Sequence, residues 1–129
     1  AIICIMSKEN GLYDIPHTRV QKISLDDVGD AEQVQKFQFT FEKLMEDYHV
    51  SHVLIKGRAL KGKFAGGPVG FKIEAAIQLI KELQVEILAG SFIKKEIAKS
   101  QVEIDFRDTG LKQYQEQAFT TVFAYLETL

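Results

Sequence analysis

The spacing of apolar residues changes repeatedly between residues 31 and 88, and this constrains the fold more than any other feature of the chain. In two stretches the apolar residues lie three or four apart, as on one face of a helix. In two others they form a short continuous run, as in a strand covered on both faces. The predicted order is a helix at 34–48 opened by acids, a strand at 53–55, a helix from Pro68 to Leu83 and a strand at 85–88. This alternation favours parallel strands joined by right-handed crossovers.

The start of the chain has a different pattern. Residues 1–6 form a continuous Ile-rich run that predicts a strand, and residues 7–11 form a polar turn ending in Asn10-Gly11. Residues 18–25 alternate apolar and polar side chains and predict a second strand. We expect the two strands to pair as antiparallel neighbours across the Asn10-Gly11 loop.

Two helices are predicted after the last strand. Ser91 can cap a short helix that extends to about Ala98, and a final helix is predicted from Thr109 to near Leu126. The expected fold is an α/β domain spanning residues 1–129, with antiparallel strands first, parallel strands after them, and flanking helices.

Composition excludes several classes of protein. With 129 residues, 46% hydrophobic, nine Phe and a net charge of -2, the chain can build a single core and is not disordered. The single cysteine, Cys4, allows no intrachain disulfide, and no apolar run reaches the roughly 18 residues of a membrane span. We therefore expect a cytoplasmic protein with no membrane partner. The sequence leaves open whether the chain forms a homo-oligomer.

The order of elements resembles the ribonuclease H-like fold, and within it the RuvC-like resolvase branch. The segments that carry the resemblance are the strands at 52–56 and 85–88, the helical stretch at 71–80 and the Lys-bearing stretch at 92–95. The segment at 61–67 that leads into 71–76 is also similar to an uncharacterised bacterial family of that branch. The resemblance spans about residues 1–126.

The resemblance implies a central strand that carries a catalytic acid and lies between the first visible strand and the 53–55 strand. That strand would precede Ala1. It also implies clustered carboxylates holding Mg²⁺ or Mn²⁺ for phosphodiester hydrolysis. Where the resemblance places a Glu at a strand end, this chain has Lys56. Asp108 and Glu116 are the remaining candidate metal ligands; Asp108 could instead cap the last helix, and Glu116 could be an ordinary surface residue.

The segment from residue 56 to residue 72 is basic. It carries no acid and five glycines, so its backbone N–H groups could approach phosphate oxygens closely. Phe64 could stack on a base. The alternative is a solvated loop whose lysines keep it soluble and whose Phe64 lies in the core. The five cations are Lys56, Arg58, Lys61, Lys63 and Lys72.

The same segment contains a near-match to a nucleotide-binding P-loop. Residues 57–63 read G-x4-G-K directly after a predicted strand. The match fails at Phe64, where a Ser or Thr hydroxyl is needed for Mg²⁺, and at Pro68, which delays the helix that the phosphate cradle requires.

These observations favour a domain that binds nucleic acid or another polyanion with an incomplete set of catalytic acids. Two alternatives stay open: a non-catalytic interaction or structural domain, and a metal-dependent nuclease that uses an upstream acid. No cofactor is evident, and Mg²⁺ or Mn²⁺ would be needed only by the nuclease. The expected phosphate-binding residues are Lys56, Arg58, Lys61, Lys63 and Phe64, with Lys94, Lys95 and Lys112 as secondary contributors.

Overall fold

The first long helix, α1 (Ala31–Asp47), begins where the acidic start signal predicts it. The computed structural model, which describes residues 1–62 and 66–129, shows the Asp30 side chain accepting a hydrogen bond from the backbone N–H of Glu32 at 3.0 Å. This cap satisfies one of the free donors at the helix start. The helix buries its predicted apolar face through Phe37, Phe41, Leu44 and Met45.

The parallel strand pair is confirmed. Strand β3 (His52–Lys56) pairs with β4 (Gln84–Leu88) in parallel, with His52 opposite Gln84. Helix α2 (Pro68–Gln78) lies between them in sequence and begins at the predicted proline. It ends before the predicted Leu83, because the chain tightens into turns such as the bond from Ile80 N–H to Ile77 O at 3.1 Å.

The antiparallel start of the chain forms in a different place from the prediction. The segments at 1–6 and 18–25 meet only at an isolated antiparallel bridge, Ile2 to Lys22. The regular strands are instead β1 (Ser7–Glu9) and β2 (Leu12–Asp14), inside and just after the predicted turn. Asn10 and Gly11 both have positive φ, 52° and 78°, which gives the turn geometry that joins two antiparallel strands tightly. Pro16 has no backbone N–H, so it cannot donate to a ladder that would continue β2.

The final helix is shorter than predicted. Helix α3 (Gly90–Lys99) has Ala89 rather than Ser91 at its N-cap. Two 3₁₀ turns follow, at Phe106–Asp108 and Gln113–Gln115, and α4 (Glu116–Leu126) begins only after them. The prediction of a helix from Thr109 is wrong because Gly110 has a φ of 79°, which turns the chain out of the right-handed helical path.

The β3–β4 sheet has helices on both faces. Val53 and Ile55 pack against the core formed with α1 and α2, whereas Leu54 belongs to a second cluster with Ile93 and Ala124 of α3 and α4. Successive residues of a strand point to opposite faces, so a strand covered on both sides is apolar throughout. The prediction for 53–55 is therefore confirmed, and the protein is a mixed α/β fold with an antiparallel and a parallel strand pair. Within the described ranges no helix has both the length and the apolar character to cross a membrane.

Candidate anion-binding site and central cleft

Lys56 lies where the carboxyl ends of β3 and β4 meet the start of α3. The next residue, Gly57, donates its backbone N–H to Leu88 O at 2.7 Å and so ties the two strand ends together. A Cβ on Gly90, the first residue of α3, would lie 3.5 Å from Cε of Lys56. The N-cap of this helix, Ala89, provides no side-chain hydrogen bond to the free N–H groups of the first turn. A cation and an uncapped helix start therefore lie side by side.

Arg58 is held by a buried acid on α2. Its Nε donates to Oε2 of Glu74 at 3.0 Å, and Glu74 is only 7% exposed. The arginine stem passes over two glycines: a Cβ at Gly66 would lie 2.8 Å from Arg58 Cβ, and one at Gly70 would lie 2.9 Å from Arg58 Cζ. Glycines at these positions leave room for the side chain to reach Glu74. The predicted cation is thus ion-paired, and part of its charge is compensated.

The sequence contains a pattern that indicates this ion pair, although Glu74 lies outside the acid-free segment at 56–72. Gly66, Gly70 and Glu74 are spaced by four residues, so Gly70 and Glu74 share one face of α2. Glu74 lies just beyond the end of the basic segment. The formal charge of that segment therefore overstates the free positive charge at this site.

The remaining cations of the basic segment differ in position. Lys61 is exposed, next to Gly62 with its φ of 98°. Lys72 donates from Nζ to Val28 O, which directs it to the segment preceding α1. The predictions for Lys63 and Phe64 lie outside the described residues. The secondary candidates are all exposed: Lys94 and Lys95 on α3, and Lys112 before the second 3₁₀ turn.

The two candidate metal ligands are both exposed. Asp108 ends the first 3₁₀ turn, and Glu116 begins α4, where its Oε1 accepts a hydrogen bond from Gln113 Nε2 at 3.1 Å. Among residues 1–62 and 66–129, no group of three or more His, Cys, Asp or Glu side chains is arranged to hold a metal ion. The proposed metal roles of Asp108 and Glu116 stay predictions.

A cleft of about 650 Å³ separates the first six residues from β3. Its floor is formed by α1 and α2 through Phe41, Met45, Ile73 and Ile77. Its roof is formed by Tyr114 and by the side of α4 that carries Ala118, Thr121 and Val122. Lys56, Arg58 and Glu74 also line the cleft, so the basic site and the cleft are continuous.

Two groups on the cleft wall have shifted pKa values. Burial raises the pKa of the Cys4 thiol to about 11, so this thiol is protonated near neutral pH. The pKa of the Ala1 amine is lowered by burial and by the positive charges of Arg58 and Lys22. The same nitrogen donates a hydrogen bond to Ile23 O at 2.5 Å.

Comparison with known proteins identifies one family. The model of a family described as a protein of unknown function, DUF3010, matches residues 1–125. The chain belongs to the DUF3010 family. No curated protein and no solved structure matches it. The description of this family names no activity.

Proposed function

We propose that this DUF3010 member is a ribonuclease H-like domain that binds the phosphate backbone of nucleic acid at the carboxyl ends of β3 and β4. The observation that carries the proposal is the position of Lys56 beside the uncapped start of α3. A helix start carries roughly half a positive charge and has free N–H groups, and a neighbouring ammonium adds a full charge. Together they form a site that favours an anion.

The fold supports the same location. In open α/β sheets, ligands bind beyond the carboxyl ends of parallel strands, where the connecting loops meet. Lys56 is the last residue of β3, and Arg58 and Lys61 follow it within five residues. Glu74 fixes the Arg58 guanidinium through Nε, which leaves other N–H groups of the guanidinium for a second acceptor. A fixed guanidinium loses less conformational entropy when it binds a phosphate.

The whole protein carries a net charge of -2, so a general attraction to polyanions cannot replace a local site. Binding should therefore depend on a few cations at one end of the sheet. Lys81 offers a matched control, since it is an exposed lysine that precedes β4 and lies toward the opposite, amino end of the same strand.

The test measures binding of single-stranded and branched DNA at about 50 mM and about 200 mM salt. Three phosphate contacts predict a roughly 20- to 40-fold loss of affinity over this range. Lys56→Ala combined with Lys61→Ala should weaken binding and flatten the salt dependence, whereas Lys81→Ala should change neither. Binding that is insensitive to salt, or equal losses in both variants, would contradict the proposal.

A further inference from the structure

Tyr114 differs from the other tyrosines of the chain in how its ring is held. Tyr13, Tyr48 and Tyr125 are half-buried, and the hydroxyl of each faces a hydrogen-bonding group of the protein. Tyr114 is 46% exposed and lies on the roof of the cleft. It therefore presents an aromatic ring that the packing of the chain leaves accessible.

The turn that carries Tyr114 is fixed to the border of the cleft. Tyr114 is the middle residue of the 3₁₀ turn Gln113–Gln115. The next residue, Gln115, is 1% exposed and donates from Nε2 to Ile3 O at 2.7 Å. This buried hydrogen bond holds the turn against the first six residues. A ring on a fixed turn loses less conformational entropy when a flat ligand stacks on it.

A lysine lies over the Tyr114 ring. Nζ of Lys22 is 5.7 Å from the ring centroid, within the range of a cation–π contact. Lys22 is exposed, and its backbone is positioned by the antiparallel bridge to Ile2. The protein therefore places an accessible aromatic ring and an ammonium group side by side at the cleft. This pairing matches the chemistry of a nucleotide, in which an aromatic base adjoins an anionic phosphate.

The Lys22–Tyr114 pair adjoins the basic site that follows β3. Tyr114, Lys56 and Arg58 all line the same cleft. The pKa of the Ala1 amine is lowered first by burial and then by the charges of Arg58 and Lys22, so both cations lie near this nitrogen. A strand of nucleic acid that crosses the cleft would meet a cation on each border and the Tyr114 ring on the roof.

Stacking on Tyr114 requires a base that is free of its neighbours. In a duplex the bases are paired and stacked on one another, whereas a base of a single strand can turn outward onto an aromatic side chain. Every base has a π-face, so stacking of this kind tolerates any sequence. Phosphate contacts position a nucleic acid but carry no such selection. The ring therefore favours single strands without favouring a sequence.

We propose that Tyr114 is a base-stacking residue and that the cleft binds single-stranded nucleic acid, with a base on the Tyr114 ring and the adjoining phosphates at Lys22 and at the Lys56–Arg58 site. The proposal rests on the phosphate-binding function proposed above and specifies its substrate class. Lys22 supplies a phosphate contact beside the base. Tyr114 supplies an interaction that does not depend on the charge of the strand.

The test compares two strands that carry the same phosphates, a thymidine oligomer of about ten nucleotides and an abasic strand of equal length. The parent protein should bind the thymidine oligomer at least about fivefold more tightly, because stacking on an aromatic side chain contributes this much or more per base. Tyr114→Ala should make the two affinities equal. Tyr114→Phe keeps the ring and should preserve the difference. A duplex of the same length should bind the parent and Tyr114→Ala equally.

Phe39→Ala is the matched control. Phe39 is an aromatic residue of α1 that is 68% exposed. It lies two positions from Phe41, which lines the cleft, so it points to the other side of the helix. Its removal should leave both affinities unchanged. The melting temperature of each variant checks that the fold is retained, and the comparison of the two strands on the parent protein needs no variant.

Three outcomes would overturn the stacking proposal. The first is equal affinity of the parent for the two strands, and the second is a preference for thymidine that persists in Tyr114→Ala. In the third, thymidine monophosphate competes as strongly as the oligomer, which would assign the ring to free nucleotides. If both strands still bind with the salt dependence expected above, phosphate binding stands without the stacking role. Binding that is insensitive to salt would instead contradict phosphate binding itself.

Discussion

The β1–β2 hairpin and the central cleft differ in how their backbone segments are held. We call the hairpin, together with Glu127 and Ser100, the β1–β2 corner. At the corner, the hairpin is fastened to the end of α4: Glu127 accepts hydrogen bonds from Tyr13 and from Ser100, and Lys8 lies 3.8 Å from the same carboxylate. In the cleft, the first six residues and β3 lie on opposite borders, and among residues 1–62 and 66–129 no backbone hydrogen bond joins them. The hairpin is closed by a local turn, whereas the two borders of the cleft come from segments about fifty residues apart in the sequence.

The two faces of α4 reproduce this difference within one helix. Phe123 packs against Tyr13 with ring centroids 5.3 Å apart and against Phe119 at 5.7 Å. Its neighbour Val122 faces the cleft. A side chain removed from a filled region leaves a cavity, whereas one removed beside an open cleft adds to space that already exists. The comparison therefore predicts different costs for adjacent residues.

The largest effect is expected for Phe123→Ala. Phe123 is 6% exposed, and its removal should lower the free energy of unfolding by about 3–5 kcal/mol through lost contacts and a new cavity. Val122→Ala should cost about 1 kcal/mol or less. Urea unfolding of both variants measures the contrast. A cost of about 2 kcal/mol or more for Val122→Ala would mean that this side chain is packed on all sides and would contradict the comparison.

The next effect concerns Gln115, the residue before α4, which joins this helix start to the cleft border. Gln115 is 1% exposed and donates from Nε2 to Ile3 O at 2.7 Å, while its Oε1 accepts from Lys112 N–H at 2.9 Å. Gln115→Ala leaves two backbone groups without these partners and should cost about 1–3 kcal/mol. The exposed Gln117 serves as the control, and Gln117→Ala should leave the free energy of unfolding within about 0.5 kcal/mol of the parent.

A smaller effect is expected at the hairpin turn. Gly11 has a φ of 78°, and a Cβ added there would meet no heavy atom within 4 Å. Gly11→Ala therefore meets no clash but must adopt a left-handed conformation, at an expected cost of about 1–2 kcal/mol. Gly67→Ala is the matched control, because Gly67 is equally open but has a φ of -76°. If both variants melt at the same temperature, the turn geometry is not what holds the hairpin.

The smallest expected effect is a pH-dependent change in the free energy of unfolding, and it concerns the Glu127 carboxylate at the β1–β2 corner. Hydrogen bonds from Ser100 and Tyr13 and the charge of Lys8 hold the pKa of Glu127 below its ordinary value. A depressed carboxyl pKa stabilises the fold above the unfolded pKa near 4.5, and this contribution is lost as the pH falls through the folded pKa. Glu127→Gln should therefore cost roughly 1 kcal/mol at neutral pH and less in acid.

Urea unfolding at about pH 7 and about pH 3 tests this prediction. Glu103→Gln, at an exposed position, should show no such change in the difference between the two pH values. A Glu127→Gln penalty that grows in acid would contradict the proposed role of the carboxylate.

Much of the element order could be read from local signals. Asp30 caps α1, Pro68 opens α2, and the continuous apolar run at 53–55 marks a strand covered on both faces. Caps, helix starts and apolar periodicity depend on residues close together in the sequence, so they can be predicted without knowledge of the fold. The prediction failed where one residue redirected the chain, as Gly110 does before α4.

The sequence by itself determined the α/β order, the parallel pairing of β3 and β4 and the location of a basic segment after β3. Only the tertiary structure decided which of those cations are paired and which residues border the cleft. Arg58 meets Glu74 sixteen residues away, and Tyr13 meets Glu127 across 114 residues. Such partners are brought together by the packing of helices over the strands. Local propensities do not predict contacts between residues so far apart in the sequence.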